Sequence, residues 1–300
     1  FRIDPVTARI IRNRGIEGEA AIDRYLNGTL DDLYDPMLLK DMERAVSILC
    51  EAVDTGKKIR IVGDYDIDGV CSTYILLQAF ERLGSDVDFE IPDRIKDGYG
   101  INESIIEQAH ADGVEVILTC DNGISAFHQV ELAKKYGMMV VITDHHEVPL
   151  DGEKEKIPPA DAVIDPKQAD CPYPFPEICG AVVAYKLVQV LYARRGVPQM
   201  EWLDLLEFAA IATVGDVMKL QDENRILVKY GMEHLTKLGW TGLNMLVDKI
   251  SGGKEGKITS TFILFYLVPK LNAAGRLGNA DRAFRLLISE NAEEAASPTE

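Results

Sequence analysis

From Lys57 onward the chain alternates short apolar runs with helix-spaced segments, and few folds accept that rhythm. Apolar runs at 59–62, 87–91, 114–119, 138–143 and 162–164 each have the length of a strand. Segments at 70–83, 103–111 and 126–136 carry apolar residues at helical spacing, with Gly84 and Gly137 as stops and Asn102 as an N-cap. Apolar strands separated by helices predict a parallel five-stranded sheet flanked by helices, an α/β fold. Right-handed crossovers bring the carboxyl ends of such strands to one edge, where open α/β sheets bind their ligands.

The polar residues fall at those ends. The first run leads into Gly63-Asp64-Tyr65-Asp66-Ile67-Asp68-Gly69. Extended backbone puts alternate residues on one face, so Asp64, Asp66 and Asp68 are expected to project together. Unit charges 4 Å apart repel by about 4 kcal/mol at an effective dielectric near 20. That repulsion points to a hard, oxygen-loving divalent cation. The third run ends at Asp121-Asn122-Gly123, the fourth at Asp144-His145-His146 and the fifth at Asp165-Pro166. A lone Asp after a strand is usually a turn or cap residue. The clusters after the first, third and fourth runs, one with two adjacent histidines, exceed what caps require. An EF-hand is excluded, because the twelfth residue from Asp64 is Ile75 where that loop needs a bidentate Glu. For the first cluster taken alone, a solvated acidic turn without a ligand stays open.

The flanks are helical. Residues 1–56 form an N-terminal helical segment, with helical spacing at 20–26 and 41–53. Residues 57–220 form the α/β unit, within which 151–177 reads as a surface excursion and 178–193 and 202–214 as apolar helices. Asp216, in Gly215-Asp216-Val217, follows a strongly apolar stretch, as a helix-end turn or as one more carboxylate for the cluster. Residues 221–300 form a helical C-terminal part with two helices over 222–250. An apolar stretch at 261–268 precedes Lys270-Leu271-Asn272-Ala273-Ala274-Gly275-Arg276-Leu277-Gly278, whose small residues and Arg suit a loop on a phosphate.

Composition narrows the class. With 47% hydrophobic and 27% charged residues the chain reads as soluble and globular. No apolar run nears the roughly 18 residues of a membrane span, and no leader pattern opens the chain. Five scattered cysteines without a Cys-x-x-Cys pair predict reduced thiols in the cytoplasm, neither a disulfide framework nor a zinc site. A net charge of −17 opposes non-specific nucleic-acid binding. Metal-binding carboxylates account for part of it, however, and residues 249–285 hold seven basic side chains against two acidic ones. A locally basic surface on an acidic body fits an enzyme that handles phosphates at one face, although a merely solvated charged face is as common. The chain opens on Phe1, as a piece of something longer would.

Taken together, Gly63-Asp64-Tyr65-Asp66-Ile67-Asp68-Gly69, Asp121-Asn122-Gly123-Ile124, Asp144-His145-His146 and Gly215-Asp216-Val217 resemble the motifs of the DHH phosphoesterase superfamily. Pro92-Asp93-Arg94, Gly98-Tyr99-Gly100 and Leu271-Asn272-Ala273-Ala274-Gly275-Arg276 bring the resemblance closer to its bacterial single-strand-specific 5′→3′ DNA exonucleases, over almost the whole chain. The resemblance implies two divalent cations, Mn²⁺ preferred and Mg²⁺ possible. Asp66 would bind one and Asp68 the other, Asp121 would bridge them, and His145 and Asp216 would complete the second site. His146 would act on the substrate phosphate, with Asp144 beside it. Arg94 and Arg276 would hold a 5′-terminal phosphate, and Tyr99 and Asn272 would join the substrate contacts. Several relatives carry a His where this chain has Val62, so Asp64 or water must fill that position. The implied substrate is 5′-phosphorylated single-stranded DNA, degraded to mononucleotides in repair and recombination. A single-strand-binding protein and a helicase are the implied partners of the intact protein, which is expected to be monomeric, with no membrane. An accessory domain and an OB-fold would follow this part of the chain. Rival readings are a phosphoesterase for short oligonucleotides, cyclic dinucleotides or pyrophosphate, and a replication scaffold without catalysis.

Overall fold

Strand side chains alternate between two apolar cores, and the alternation sets up three layers. The computed structural model describes residues 3–93, 98, 100–235, 241–252, 258–276, 284–287 and 289, apart from the side chains of 234, 241 and 274–276. Its strands are β1 (Ile59–Val62), β2 (Val87–Glu90), β3 (Val116–Cys120), β4 (Met139–Thr143), β5 (Leu150–Asp151), β6 (Lys154–Glu155) and β7 (Ala162–Ile164). Five form one parallel sheet in the order β2-β1-β3-β4-β7, and β5 and β6 pair as a separate antiparallel hairpin.

The helices are α1 (Pro5–Asn13), α2 (Glu19–Asn27), α3 (Met42–Thr55), α4 (Ile67–Arg82), α5 (Glu103–Ala111), α6 (Phe127–Lys135), α7 (Gly180–Arg195), α8 (Gln199–Leu203), α9 (Leu206–Gly215), α10 (Asp222–His234), α11 (Thr241–Ser251), α12 (Ser260–Phe262) and α13 (Val268–Arg276). Ile61, Leu118, Val141 and Ile164 face the core that holds α3, α4, α7 and α9. Val62, Ile117, Val140, Ile142 and Val163 face the core under α5 and α6. A period of two along each strand therefore serves both faces. A π-helical turn, Ile263–Leu267, joins α12 to α13, and Phe265 and Tyr266 on it are exposed.

The N-terminal segment is fastened to the body by polar groups. Asp222 accepts from Arg24 Nε (2.9 Å) and Tyr34 Oη (3.0 Å). Beneath them Lys186 and Glu223, both buried, pair at 3.0 Å, and Tyr173 Oη donates to Glu223. Two buried charges are tolerable here because each has a partner of opposite sign and further hydrogen bonds.

The structure departs from the expected elements at several points. The stretch 270–278, expected as a loop on a phosphate, is helical as far as Arg276, as part of α13. Helix α1, inside the expected helical segment, turns only Ile11 fully inward, while Val6 and Ile10 face solvent. It rests on Pro5 at its first position and on Asp4, which accepts from the Val6 and Thr7 amides. The helix expected over 202–214 is two helices. The chain bends at Asp204-Leu205, so Leu205 is buried while Arg82 ties Glu201 and Asp204 to the surface. Residues 151–177 are more than a surface excursion, because Asp165, Gln168 and Tyr173 are buried and Gln168 Nε2 donates to the Val163 carbonyl (2.9 Å).

Candidate metal centre

Neighbours of β1 and β3 run in opposite directions through the strand order, so the crevice at their carboxyl ends is the switch point where such sheets bind ligands. Asp64 leaves β1 and Asp121 leaves β3 at that crevice. Asp64 is buried; its Oδ1 accepts from the Gly100 amide (3.4 Å), and its Oδ2 is buried without a partner. A Cβ on Gly69 would lie 2.4 Å from the Asp64 carbonyl oxygen, so only glycine lets α4 start against this turn.

The expected shared face of Asp64, Asp66 and Asp68 does not form. Extension ends at Val62 and α4 begins at Ile67, so helical rotation replaces strand alternation. Asp66 is the N-cap of α4, its Oδ1 accepting from the Asp68 (2.9 Å) and Gly69 (3.1 Å) amides. Asp68 turns the other way, to the N-terminus of α7. There its Oδ2 accepts from the Gly180 amide (2.7 Å) and its Oδ1 from the Ala181 amide (2.8 Å). Both are first-turn donors that the helix itself leaves unused.

Beyond β4, Asp144 accepts from four donors: the Ile124 amide on Oδ2 (2.9 Å), and on Oδ1 the amides of His145 (2.8 Å) and His146 (3.2 Å) and His146 Nδ1 (2.7 Å). Asp144 therefore fixes the loop and turns the His146 ring so that Nε2 points away from it. Burial works against protonation of His146, but the bond to Asp144 outweighs it and lifts its pKa to about 9. Burial would raise Asp144, yet His146 and the Ile124 amide hold it below the usual carboxylate range. His145 is buried, with Nε2 3.0 Å from Asp121 Oδ1, 3.3 Å from Asp68 Oδ2 and 3.9 Å from Asp216 Oδ2. Its Nδ1 is buried without a hydrogen-bond partner, and burial lowers its pKa.

The potential ligand atoms fall into three groups, each within 4.8 Å: Asp64, Asp66 and Asp121; Asp68, His145 and Asp216; and Asp121, His145 and His146. Asp121 belongs to the first and the third, and its Oδ1 is 3.0 Å from His145 of the second; its backbone is at φ 59, a left-handed turn at the end of β3. A Cβ on Gly180 would come within 2.7 Å of Asp121 Cβ, so α7 can approach only as glycine. Burial, then neighbouring carboxylates, push Asp64 and Asp216 up to about 7 and raise Asp66 and Asp121. Crowded acids with raised pKa values, an orphaned buried oxygen on Asp64 and mixed oxygen and imidazole donors fit a pair of divalent cations.

The structure thus brings together Asp64, Asp66, Asp68, Asp121, His145, His146 and Asp216, with Asp144 behind the histidines. Val62 packs in the core under α5 and α6, and Asp64 stands within reach of the first group. Asp216 caps the end of α9, and Gly215 before it is wedged under Ile67 and Val268. Arg94 and Tyr99 lie outside the described residues, as does the Arg276 side chain. Asn272 lies half-buried on α13, its Oδ1 buried without a partner. Of the basic stretch, the described Lys249, Lys270 and Arg285 are exposed. The amides of Gly180, Ala181, Ile124 and Gly100 were invisible to a pattern of side chains. Asp165 lies next to the site, behind Asp144. It is fully buried at the end of β7, and burial beside Asp144 raises its pKa to about 7.

This sheet edge, with its split carboxylates and paired histidines, defines a class. The family described as DHH family, N-terminal domain, matches residues 58–213, and the chain belongs to it. A similar curated protein is the single-stranded-DNA-specific exonuclease RecJ of Bacillus subtilis (strain 168), 40% identical over 295 residues that cover 98% of this chain and 36% of the relative. Among solved structures, the fold resembles exonuclease RecJ bound to manganese, with TM-score 0.76 and 34% identity over 87% of this chain and 64% of that one. It also resembles RecJ in complex with Mg²⁺ from Thermus thermophilus, with TM-score 0.67 and 29% identity over 99% of this chain and 38% of that one. The chain spans about a third to a half of the length of the curated relatives it matches.

Proposed function

We propose that the chain carries the catalytic site of a metal-dependent 5′→3′ exonuclease that hydrolyses single-stranded DNA to mononucleotides, in DNA repair and recombination. The observation that carries this reading is the pair of adjacent ligand groups, with Asp121 of one 3.0 Å from His145 of the other. The likeness to RecJ supports single-stranded DNA as the substrate, and the manganese- and magnesium-bound neighbours support the choice of ions.

Asp64, Asp66 and Asp121 would hold one cation, and Asp68, His145 and Asp216 the other, with Asp121 shared. When bound, the ions supply Lewis-acid neutralisation of the phosphate and ease deprotonation of an attacking water. The side chains do the rest. Asp68 is held by the α7 amides, so its carboxylate is preoriented. His146, kept protonated by Asp144, offers Nε2–H to a phosphate oxygen as charge builds on it. Arg94, Arg276, Tyr99 and Asn272 are proposed contacts to the 5′-phosphate and the strand, Arg because its planar fork meets two oxygens at once. Residues 57–220 would be the catalytic unit and the flanking helical segments its frame.

Among the described residues no helix is long and apolar enough to cross a membrane. The five scattered free cysteines favour a cytoplasmic protein; a monomer is proposed, and a single-strand-binding protein and a helicase are proposed as partners of the intact protein from the likeness. The test is a 5′-phosphorylated single-stranded oligonucleotide labelled at its 3′ end, incubated with Mn²⁺, with EDTA and with Asp121→Ala. Shortening to mononucleotides that EDTA and the variant abolish is the expected result. Hydrolysis confined to dinucleotides or pyrophosphate would move the site to another phosphoesterase reaction. Shortening that survives Asp121→Ala would sink the site.

A further inference from the structure

Beside the metal centre lies a cavity of about 260 Å³, lined in part by Gly100, Ile101, Ile124, Ala126, Gln129 and His146. It shares His146 and Asp144 with the site and extends from them to the start of α6. We infer that this cavity takes the sugar and base of a nucleotide whose phosphate is under attack, and that Gln129 is the residue that reads its edge. The inference rests on the exonuclease reading above.

Three observations carry it. The first is position. His146 is common to the cavity and to one of the ligand groups, so a phosphate at that histidine has its attached nucleoside at the cavity mouth. The second is size. The volume lies just below the roughly 300–1,000 Å³ of pockets that enclose drug-sized ligands, which fits one nucleoside and not a dinucleotide. The third is the lining. Ile101, Ile124 and Ala126 give apolar walls, and among the described lining residues the one ring is that of His146, at the phosphate end.

Polar capacity is concentrated at Gln129 and Ser125. Asn122, also on the wall, already donates to the Val62 (3.1 Å) and Cys120 (2.9 Å) carbonyls and accepts from the Ile101 amide (3.2 Å). Among the described residues, the side chains of Gln129 and Ser125 have no hydrogen-bond partner. An amide carries a donor and an acceptor and can turn over, so one Gln can meet the edge of any of the four bases. Aliphatic walls with one reversible amide would hold a base without selecting it, as a nuclease that degrades any sequence requires. Gly100 and Gly123, both at positive φ, let the wall pack closely against the sheet. A Cβ on Gly100 would lie 3.1 Å from Asn122 Cβ, and one on Gly123 2.6 Å from Thr119 Oγ1.

The test compares 3′-labelled, 5′-phosphorylated oligonucleotides that are intact, abasic at the terminal nucleotide, or abasic at the next one. Each is given with Mn²⁺ to the protein and to its Gln129→Ala and Ala126→Leu variants. The protein should lose kcat/KM on one of the two abasic substrates. Gln129→Ala should lower kcat/KM on the intact strand by about threefold to tenfold, the range of one lost hydrogen bond, and leave that abasic substrate untouched. Ala126→Leu should act the same way by filling the cavity. The abasic position at which the variants become indifferent identifies the nucleotide held. Equal cleavage of all three substrates by the unsubstituted protein, or variants that slow all three alike, would overturn the nucleoside pocket and leave the exonuclease standing. No cleavage of any strand would overturn the exonuclease reading and this inference with it.

Discussion

Gly180 donates its backbone amide to Asp68 Oδ2 at 2.7 Å across 112 residues of chain. The same glycine leaves room for Asp121, whose Cβ would lie 2.7 Å from any Cβ placed there. One residue without a side chain thus serves carboxylates of both ligand groups. Gly180→Ala is expected to stay folded and lose about 10- to 100-fold in Mn²⁺ affinity, the usual cost of disturbing an outer-shell partner. Calorimetric titration with Mn²⁺, beside a circular dichroism spectrum, checks it.

Asp144 is the second test of support from behind. Asparagine has the same shape, but its NH₂ group would face one set of the donors that Asp144 now accepts from. Asp144→Asn should lower kcat by about 10²-fold or more, the typical worth of a positioned acid or base. Mn²⁺ binding should change less than in Gly180→Ala. A variant with unchanged kcat would remove Asp144 from the mechanism.

Removing cations should destabilise the fold. Asp64, Asp66, Asp68, Asp121 and Asp216 crowd one crevice, and a ligand that binds only the native state stabilises it by mass action. Mn²⁺ at about 100 times its Kd should add about 2.7 kcal/mol, read as a rise in Tm that EDTA reverses and Asp121→Ala abolishes.

Val217 sits at φ 57 as the residue after the α9 cap, where its amide reaches the Val214 carbonyl (3.2 Å) and the Met218 amide reaches Thr213 (3.1 Å). Glycine is the residue that favours this position, and Val217 is 73% exposed, so packing does not explain the valine. Val217→Gly should stabilise the chain by about 0.5–1 kcal/mol, the left-handed strain relieved less the backbone entropy that glycine adds. Urea unfolding measures it. A simultaneous fall in activity would show that the strained side chain serves the site it borders.

At the opposite end of the sheet, Arg60 is buried and forks onto Asp88 at 2.7 and 2.8 Å, with Asp112 at 2.8 Å. Burial would raise the pKa of Asp88, but hydrogen bonds from Arg60 and Lys58 pull it below the ordinary value. A depressed folded-state pKa gives stability that is full above the unfolded value of about 3.9 and is lost as pH falls through the folded one. Asp88→Asn should therefore cost about 1–3 kcal/mol at pH 7, as for hydrogen bonds to a charged group. The difference from the unsubstituted chain should shrink below about pH 4. Urea midpoints at pH 7 and pH 3 decide it.

Most of the sheet could be read from the chain because each strand is a short β-rich run and each following helix has its own stop or cap. Asn102 is the clearest case: its side chain accepts from the Ile105 amide at the predicted start of α5. The clustering of Asp64, Asp121, His145 and His146 followed from strand ends alone. The division of Asp66 from Asp68 was hidden, because it depends on α4 starting at Ile67, three residues before its apolar pattern predicts. The roles of Gly180 and Ala181 were hidden for a different reason. Backbone donors carry no residue signature, and the contact that reveals them spans more than a hundred residues.

The proposed cation ligands come from the ends of three neighbouring strands and from helix termini seated on the same sheet. Strand ends and helix termini fix the backbone on both sides of the gap between the two ligand groups, which would make that gap a ruler. An ion is then sorted by radius as well as by donor preference. Ca²⁺, with bonds of about 2.3–2.6 Å against about 2.0–2.1 Å for Mg²⁺, would occupy the crevice only by spreading it.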